Sequence, residues 1–210
     1  MKNYLPDEIE KKSFEIITKE IGSTYLDDQI APIVKRVIHT TADFEYLKTL
    51  KFSKHAIEDA LNAIKNGVDI VTDTQMAMSG INKPTLAKGG GKVHCFMSAE
   101  DVAKEAKEKS VTRASICMEK AAELNKPLII AIGNAPTALI KLDELIQQGL
   151  IHPVLIVGVP VGFVNVVESK ELIINSGVEY IVAEGRKGGS NVAAAIINAL
   201  LYMAFPRDEE

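Results

Sequence analysis

Five short apolar runs, each followed by a segment of helical periodicity, restrict this chain more than any other feature. The runs are Asp69–Thr72, Lys92–Phe96, Leu128–Ile132, Val154–Val157 and Tyr180–Ala183. They are rich in β-branched residues and nearly continuous in apolar character, the pattern of strands covered on both faces. The helical segments that follow are Thr74–Ser79, Ala99–Lys109 with Thr112–Leu124, Pro136–Gln148, Phe163–Ser176 and Asn191–Met203. Gly149 and Gly177 stop two of them, and Ser98-Ala99-Glu100-Asp101 has the spacing of a capping box.

Strands alternating with helices mean a parallel sheet packed on both sides. The expected fold class is therefore α/β, a flavodoxin-like three-layer α/β/α sandwich with a five-stranded, mainly parallel sheet. Residues 1–66 read instead as extra N-terminal helices. Pro6-Asp7-Glu8 opens the first, with Ile9, Ile16, Ile17 and Ile21 falling mostly on one face. A second runs from about Asp27 to His39, and a third from Ser53 as N-cap to Gly67. With 210 residues, one core is expected: a single domain over 1–210, its 1–66 helices packed on a 67–203 α/β core.

Charge and composition remove several function classes. Lys and Arg number 24 against 28 Asp and Glu, a net charge of −4, so nucleic acid is not the expected partner. No apolar run is long enough for a membrane span, and the charged first ten residues lack an apolar signal core. Cys95 and Cys117 show no metal-ligand spacing, which fits reduced thiols in a cytoplasmic protein and no protein-held metal.

Ligands of open parallel sheets bind outside the carboxyl ends of the strands. The loops there read Thr72-Asp73-Thr74-Gln75-Met76, Gly133-Asn134-Ala135-Pro136-Thr137, Gly158–Asn165 and Gly185-Arg186-Lys187-Gly188-Gly189-Ser190. Glycine lets amides turn toward a ligand, and a following helix N-terminus favours an anion. One such loop is as well explained by turn geometry. Three in series, one with two cations, point to an anionic small molecule. Neither a phosphate-binding P-loop nor a dinucleotide fingerprint is present, which argues against a nucleotide or flavin protein. Asp73 has no second acid beside it and reads as a structural or hydrogen-bonding residue.

Of the four histidines, His55, His94 and His152 show no polar company, whereas Arg36 and His39 lie three apart on one side of a helix. A histidine there serves either as a helix-end cap or as a proton donor and acceptor near neutrality.

Several strings of the chain together resemble the precorrin-8X methylmutase family of cobalamin biosynthesis. They are Ser13–Ile17, Arg36–Phe44, Val71-Thr72-Asp73 with Met76, Thr112-Arg113, Ala131–Leu139, Gly158–Val164, Glu168-Ser169-Lys170 and Gly185–Ser190. The three consecutive glycines within Lys83–Lys92 depart from that pattern. The resemblance implies a cytoplasmic homodimer and an isomerase that moves a methyl group between adjacent ring C carbons of precorrin-8 or its cobalt form. The product would be hydrogenobyrinate or cobyrinate. It implies no cofactor, with any cobalt carried by the substrate, and His39 as proton donor and acceptor. Ser13, Arg36 and Arg113 would contact this corrinoid substrate. The strand-end candidates that join them are Thr72, Met76, Asn134, Thr137, Gly162, Arg186, Gly188, Gly189 and Ser190, with Lys187 as a further cation. Met76, Pro136, Pro160, Val161 and Phe163 would meet the apolar ring face. A non-catalytic corrinoid carrier on the same scaffold is the alternative.

Overall fold

The computed structural model describes residues 5–24 and 26–206. In chain order, α1 (Pro6–Ile21), α2 (Ala31–Thr41) and α3 (Tyr46–Thr49) precede β1 (Leu50–Phe52) and α4 (Ala56–Lys65). Then come β2 (Asp69–Thr72), α5 (Gln75–Gly80), α6 (Lys83–Ala87), β3 (Val93–His94), α7 (Glu100–Lys109) and α8 (Arg113–Glu123). The chain closes with β4 (Leu128–Ile132), α9 (Pro136–Gln147), β5 (Leu155–Gly158), α10 (Val166–Ile174), β6 (Tyr180–Ala183) and α11 (Ser190–Ala204).

The sheet has six strands in the order β1-β6-β5-β4-β2-β3. The five expected strands are all parallel and stand in the doubly wound 2-1-3-4-5 arrangement. The sixth strand, β1, was not expected. It lies antiparallel on β6, with Lys51 opposite Val182. Its three residues are too few to show a period of two, and its exposed lysine suits an edge.

Alternation along each strand divides the interior into two cores. Ile129 and Ala131 of β4 face one core, with residues of α2, α4 and α11, whereas Leu128, Ile130 and Ile132 face the other, with α8 and α9. The α11 helix is apolar almost all round and is buried from Val192 to Ile197, as expected for a helix covered on every side. It packs against α2, α4 and α5.

Five local expectations change. Ser98 does not cap α7, whose N-cap is Ala99 without a side-chain bond. Ser53 does not cap α4 either; its hydroxyl donates to Glu179 Oε2 at 2.5 Å. The helix expected from Phe163 begins at Val166, because Asn165 adopts the left-handed conformation (φ 57°). On α1, Ile17 and Ile21 are buried, but Ile9 and Ile16 are exposed. His94 also has polar company: its Nε2 lies 2.6 Å from the buried Asp69 carboxylate, which Lys126 also reaches. Parallel pairing of β2 with β3 brings these distant residues together.

Candidate functional site

The switch point of the sheet lies between β2 and β4, and Asp73 fills it. Its Oδ1 accepts the Gly133 N–H at 3.0 Å, and its Oδ2 accepts those of Asn134 and Ala135, each at 2.8 Å. Burial pushes the Asp73 carboxyl above the usual carboxylate range, and the three amides oppose that shift. The amides expected to meet a ligand at this loop are therefore taken by the protein's own anion at the start of α9. A phosphate-type cradle is already occupied here.

The neighbouring hydroxyls are paired with one another as well. Thr72 is buried and donates to Thr74 O at 3.1 Å. Thr74 and Ser190 share a 2.7 Å hydrogen bond, and Thr112 and Thr137 share one of 2.9 Å. Arg113 follows Thr112 as the first residue of α8 and is exposed, as is the Asn134 side chain. Met76, 69% exposed, stands in the first turn of α5.

The loops after β5 and β6 pack on each other. Gly162 N donates to Arg186 O at 3.2 Å, and Gly189 N donates to Val159 O at 2.9 Å. Gly188 sits so close to Val159 that a Cβ there would fall 2.1 Å from the carbonyl oxygen. The Arg186 guanidinium lies 5.5 Å from the centroid of Phe163, a ring 82% exposed. Lys187 differs from this. Its ammonium pairs with Asp43 at 2.5 Å and Glu45 at 2.7 Å, which push its pKa up.

A second cluster, on α1 and α2, holds His39. Its Nδ1 lies 2.8 Å from Ser13 Oγ, and its ring stacks on Phe14 with centroids 5.2 Å apart. Arg36 lies over the same Phe14 ring and over Tyr202, and its Nη2 donates to Glu10 Oε1 at 2.8 Å. Arg36 is thus held between two aromatic rings and a carboxylate. A groove beside this cluster is lined by Lys11, Phe14, Glu15, Thr18, Lys19 and Lys35. Its three lysines suit an anionic ligand. Another cavity, near α8 and α9, is bordered by Glu119, Glu123 and Glu144 and suits one poorly.

The candidates therefore fall into two groups. Ser13, Arg36 and His39 form one; Met76, Thr137, Gly162, Arg186, Gly188, Gly189 and Ser190 belong to the strand ends, and Arg113 joins them from the start of α8, where Thr112 meets Thr137. Tyr202 lies roughly 18 Å along α11 from Ser190 at 1.5 Å per residue. The Lys187 pairing with Asp43 and Glu45 bridges the two groups, since those acids follow α2. Sequence reasoning missed Glu10, Tyr202 and the two acids as neighbours of the site. Nothing local marks them, because each meets its cation across the tertiary fold.

Among the described residues, no group of three or more His, Cys, Asp or Glu could hold a metal ion, and no helix is long and apolar enough to cross a membrane. Burial raises the Cys117 thiol to about 11, so it is a poor nucleophile.

Comparison with known proteins gives a consistent result. The family model described as precorrin-8X methylmutase matches residues 8–203. The cobalt-precorrin-8 methylmutase of Leptospira interrogans is 46% identical over 209 residues, covering 96% of this chain and 95% of its own. That of Salmonella typhimurium is 47% identical over 206 residues, covering 94% and 95%. A crystal structure of the Thermus thermophilus precorrin-8X methyl mutase superposes with a TM-score of 0.86 at 39% identity, covering 93% of this chain and 96% of its own.

Proposed function

Because the chain belongs to the precorrin-8X methylmutase family and is an isomerase of the methylmutase class, we propose that it moves a methyl group between adjacent ring C carbons of cobalt-precorrin-8, giving cobyrinate in cobalamin biosynthesis. The choice of the cobalt form is supported by the names of the Leptospira and Salmonella relatives. The cobalt arrives within the substrate. A methyl shift inside one molecule leaves its redox state unchanged, so the reaction as proposed calls on no cofactor.

The observation that carries the reading is the hydrogen bond between Ser13 Oγ and His39 Nδ1 on an exposed, ring-stacked imidazole. Phe14 and Ser13 fix the plane and rotation of the ring. In the imidazolium form both ring nitrogens donate: Nδ1–H to Ser13 Oγ, and Nε2–H toward the macrocycle. That proton or strong hydrogen bond polarises the conjugated system near ring C and lowers the barrier to a formal [1,5] methyl shift. The Lys11, Lys19 and Lys35 groove, Arg113 and Arg186 receive the peripheral carboxylates. Met76, Val161 and Phe163, all exposed, supply apolar surface for the ring. The same reading makes the working form a cytoplasmic homodimer, a state that size-exclusion chromatography with light scattering reads directly.

The test follows the absorption spectrum of added cobalt-precorrin-8. His39→Ala is expected to bind the corrinoid and convert it about 10²–10⁴-fold more slowly. Turnover at the parental rate would remove the acid role. Faster conversion of metal-free than of cobalt-loaded substrate would overturn the choice of the cobalt form. A carrier would leave the spectrum unchanged, and the relatives named above are methylmutases, which gives that alternative no support.

A further inference from the structure

Lys170 is 1% exposed, yet it stands on α10 at the inward position shared by Val166, Ser169 and Ile173. Its Nζ donates to Gly185 O at 2.7 Å and to Lys187 O at 3.0 Å. These carbonyls flank Arg186, whose own carbonyl accepts from Gly162 N. Three consecutive carbonyls of the β6–α11 loop are thus held from the β5–α10 side. The carbonyls of Gly185 and Lys187 that the ammonium meets are neutral oxygens, and burial pushes its pKa down to about 8. Burying a cation is costly, and a methionine would fill the same space without that cost. Packing alone therefore does not account for a lysine here.

We propose that Lys170 is a positioning residue for Arg186: by holding the carbonyls on both sides, it fixes the peptide from which Arg186 leaves the loop. The guanidinium then lies on Phe163 and presents its donor edge to a carboxylate of the substrate. The identity of that carboxylate rests on the methylmutase reading; the clamp itself does not. Two further contacts act with Lys170. Asp43 and Glu45 hold Lys187 to one side, and Gly188 lies against Val159, so the loop has little room to shift. Arginine recognises carboxylates through a planar fork, which makes its orientation matter more than its charge alone.

The clamp predicts a particular kinetic pattern. A carboxylate far from the reacting carbons is held equally in the ground and transition states, so losing its grip raises KM and leaves kcat nearly unchanged. Arg186→Met is expected to raise KM about 10–100-fold, the strength of a charge-assisted hydrogen bond. Lys170→Met should raise it by a comparable factor, and the double variant should be no worse than the poorer single one. A merely structural role would lower the active fraction, hence apparent kcat, and leave KM in place. Independent of any substrate, trypsin should cleave Lys170→Met after Arg186 or Lys187 at least about 10-fold faster than the parent, because the loop carbonyls turn to water. If Lys170→Met does not fold, Lys170→Gln retains donors for one carbonyl, and both readouts should move part of the way. An unchanged KM, additive effects in the double variant, or unchanged cleavage would each overturn the proposal. Should the parent fail to convert cobalt-precorrin-8, the functional reading falls, while the cleavage rates still decide for or against the clamp.

Discussion

Replacing Gly188 with alanine places a methyl carbon 2.1 Å from Val159 O and 2.9 Å from Pro160 O. Ordinary contact begins near 3.4 Å, so the two loops must part by roughly 1.3 Å. Both obstructing atoms are backbone, which cannot swing aside as a side chain would. Overpacking of this kind costs about 1–3 kcal/mol. The Gly189 N–H bond to Val159 O, 2.9 Å long, is strained by the same movement, adding about 0.5–1.5 kcal/mol. The total, about 2–4 kcal/mol, is a large part of a typical stability of about 5–15 kcal/mol. Urea unfolding followed by far-ultraviolet circular dichroism reads it as a midpoint lowered by about 1 M at an unchanged slope. Gly149→Ala provides the contrast. Gly149 has φ +69° with nothing within 4 Å, so it meets left-handed strain without collision, about 1 kcal/mol. Because Gly188 also seats the Arg186 loop, its variant should lose roughly 10²-fold in kcat/KM, the usual consequence of a misplacement near 1 Å. A Gly188→Ala protein within about 0.5 kcal/mol of the parent would show that the loops are not packed as described, and the reasoning would fail.

Three other outcomes are expected. Asp73→Ala leaves the amides of Gly133, Asn134 and Ala135 without their acceptor and should cost about 3–5 kcal/mol in urea unfolding; a loss under about 1 kcal/mol would mean that water replaces the carboxylate. Ser13→Ala removes the bond to His39 Nδ1 and should lower kcat about 3–10-fold, with an unchanged kcat showing that Phe14 alone orients the ring. The third concerns the pH dependence of stability. Lys170 titrates near 8 when folded and near 10.5 when unfolded, so both forms hold the proton below pH 8. Above it the unfolded chain binds more protons, and the parent should gain up to about 3 kcal/mol over Lys170→Met between those two values. Chemical unfolding of both proteins across that window tests it; a constant difference would show that the buried ammonium titrates as an ordinary lysine.

The reach of the sequence differed from residue to residue for identifiable reasons. Asp69–Thr72, Leu128–Ile132 and Tyr180–Ala183 match β2, β4 and β6 residue for residue, because a doubly covered strand needs an unbroken apolar run. Gly149 follows the C-cap of α9 directly with positive φ, whereas α10 already ends at Ile174 with Asn175 as its C-cap, and Gly177 turns the chain two residues later. Arg36 and His39 meet one ring, Phe14, as a separation of three on a helix requires. Lys170 shares a helix spacing with Val166 and Ile173, but its burial and its two carbonyl partners emerge only in the fold. By contrast, β1 is too short to show a period, and Asp73 gave no hint that it would take three amides some sixty residues away.

By itself the sequence determined which segments become parallel strands and helices, and that His39 shares a helix face with Arg36. These are local properties, set by side-chain period, β-branching and glycine. The tertiary structure alone decided which polar groups satisfy one another: Asp73 with the β4–α9 amides, Lys170 with the β6–α11 carbonyls, Lys187 with Asp43 and Glu45. Such pairs depend on strand order and helix placement. A hydrogen bond or ion pair forms wherever packing brings donor and acceptor within about 3 Å, however far apart they stand along the chain.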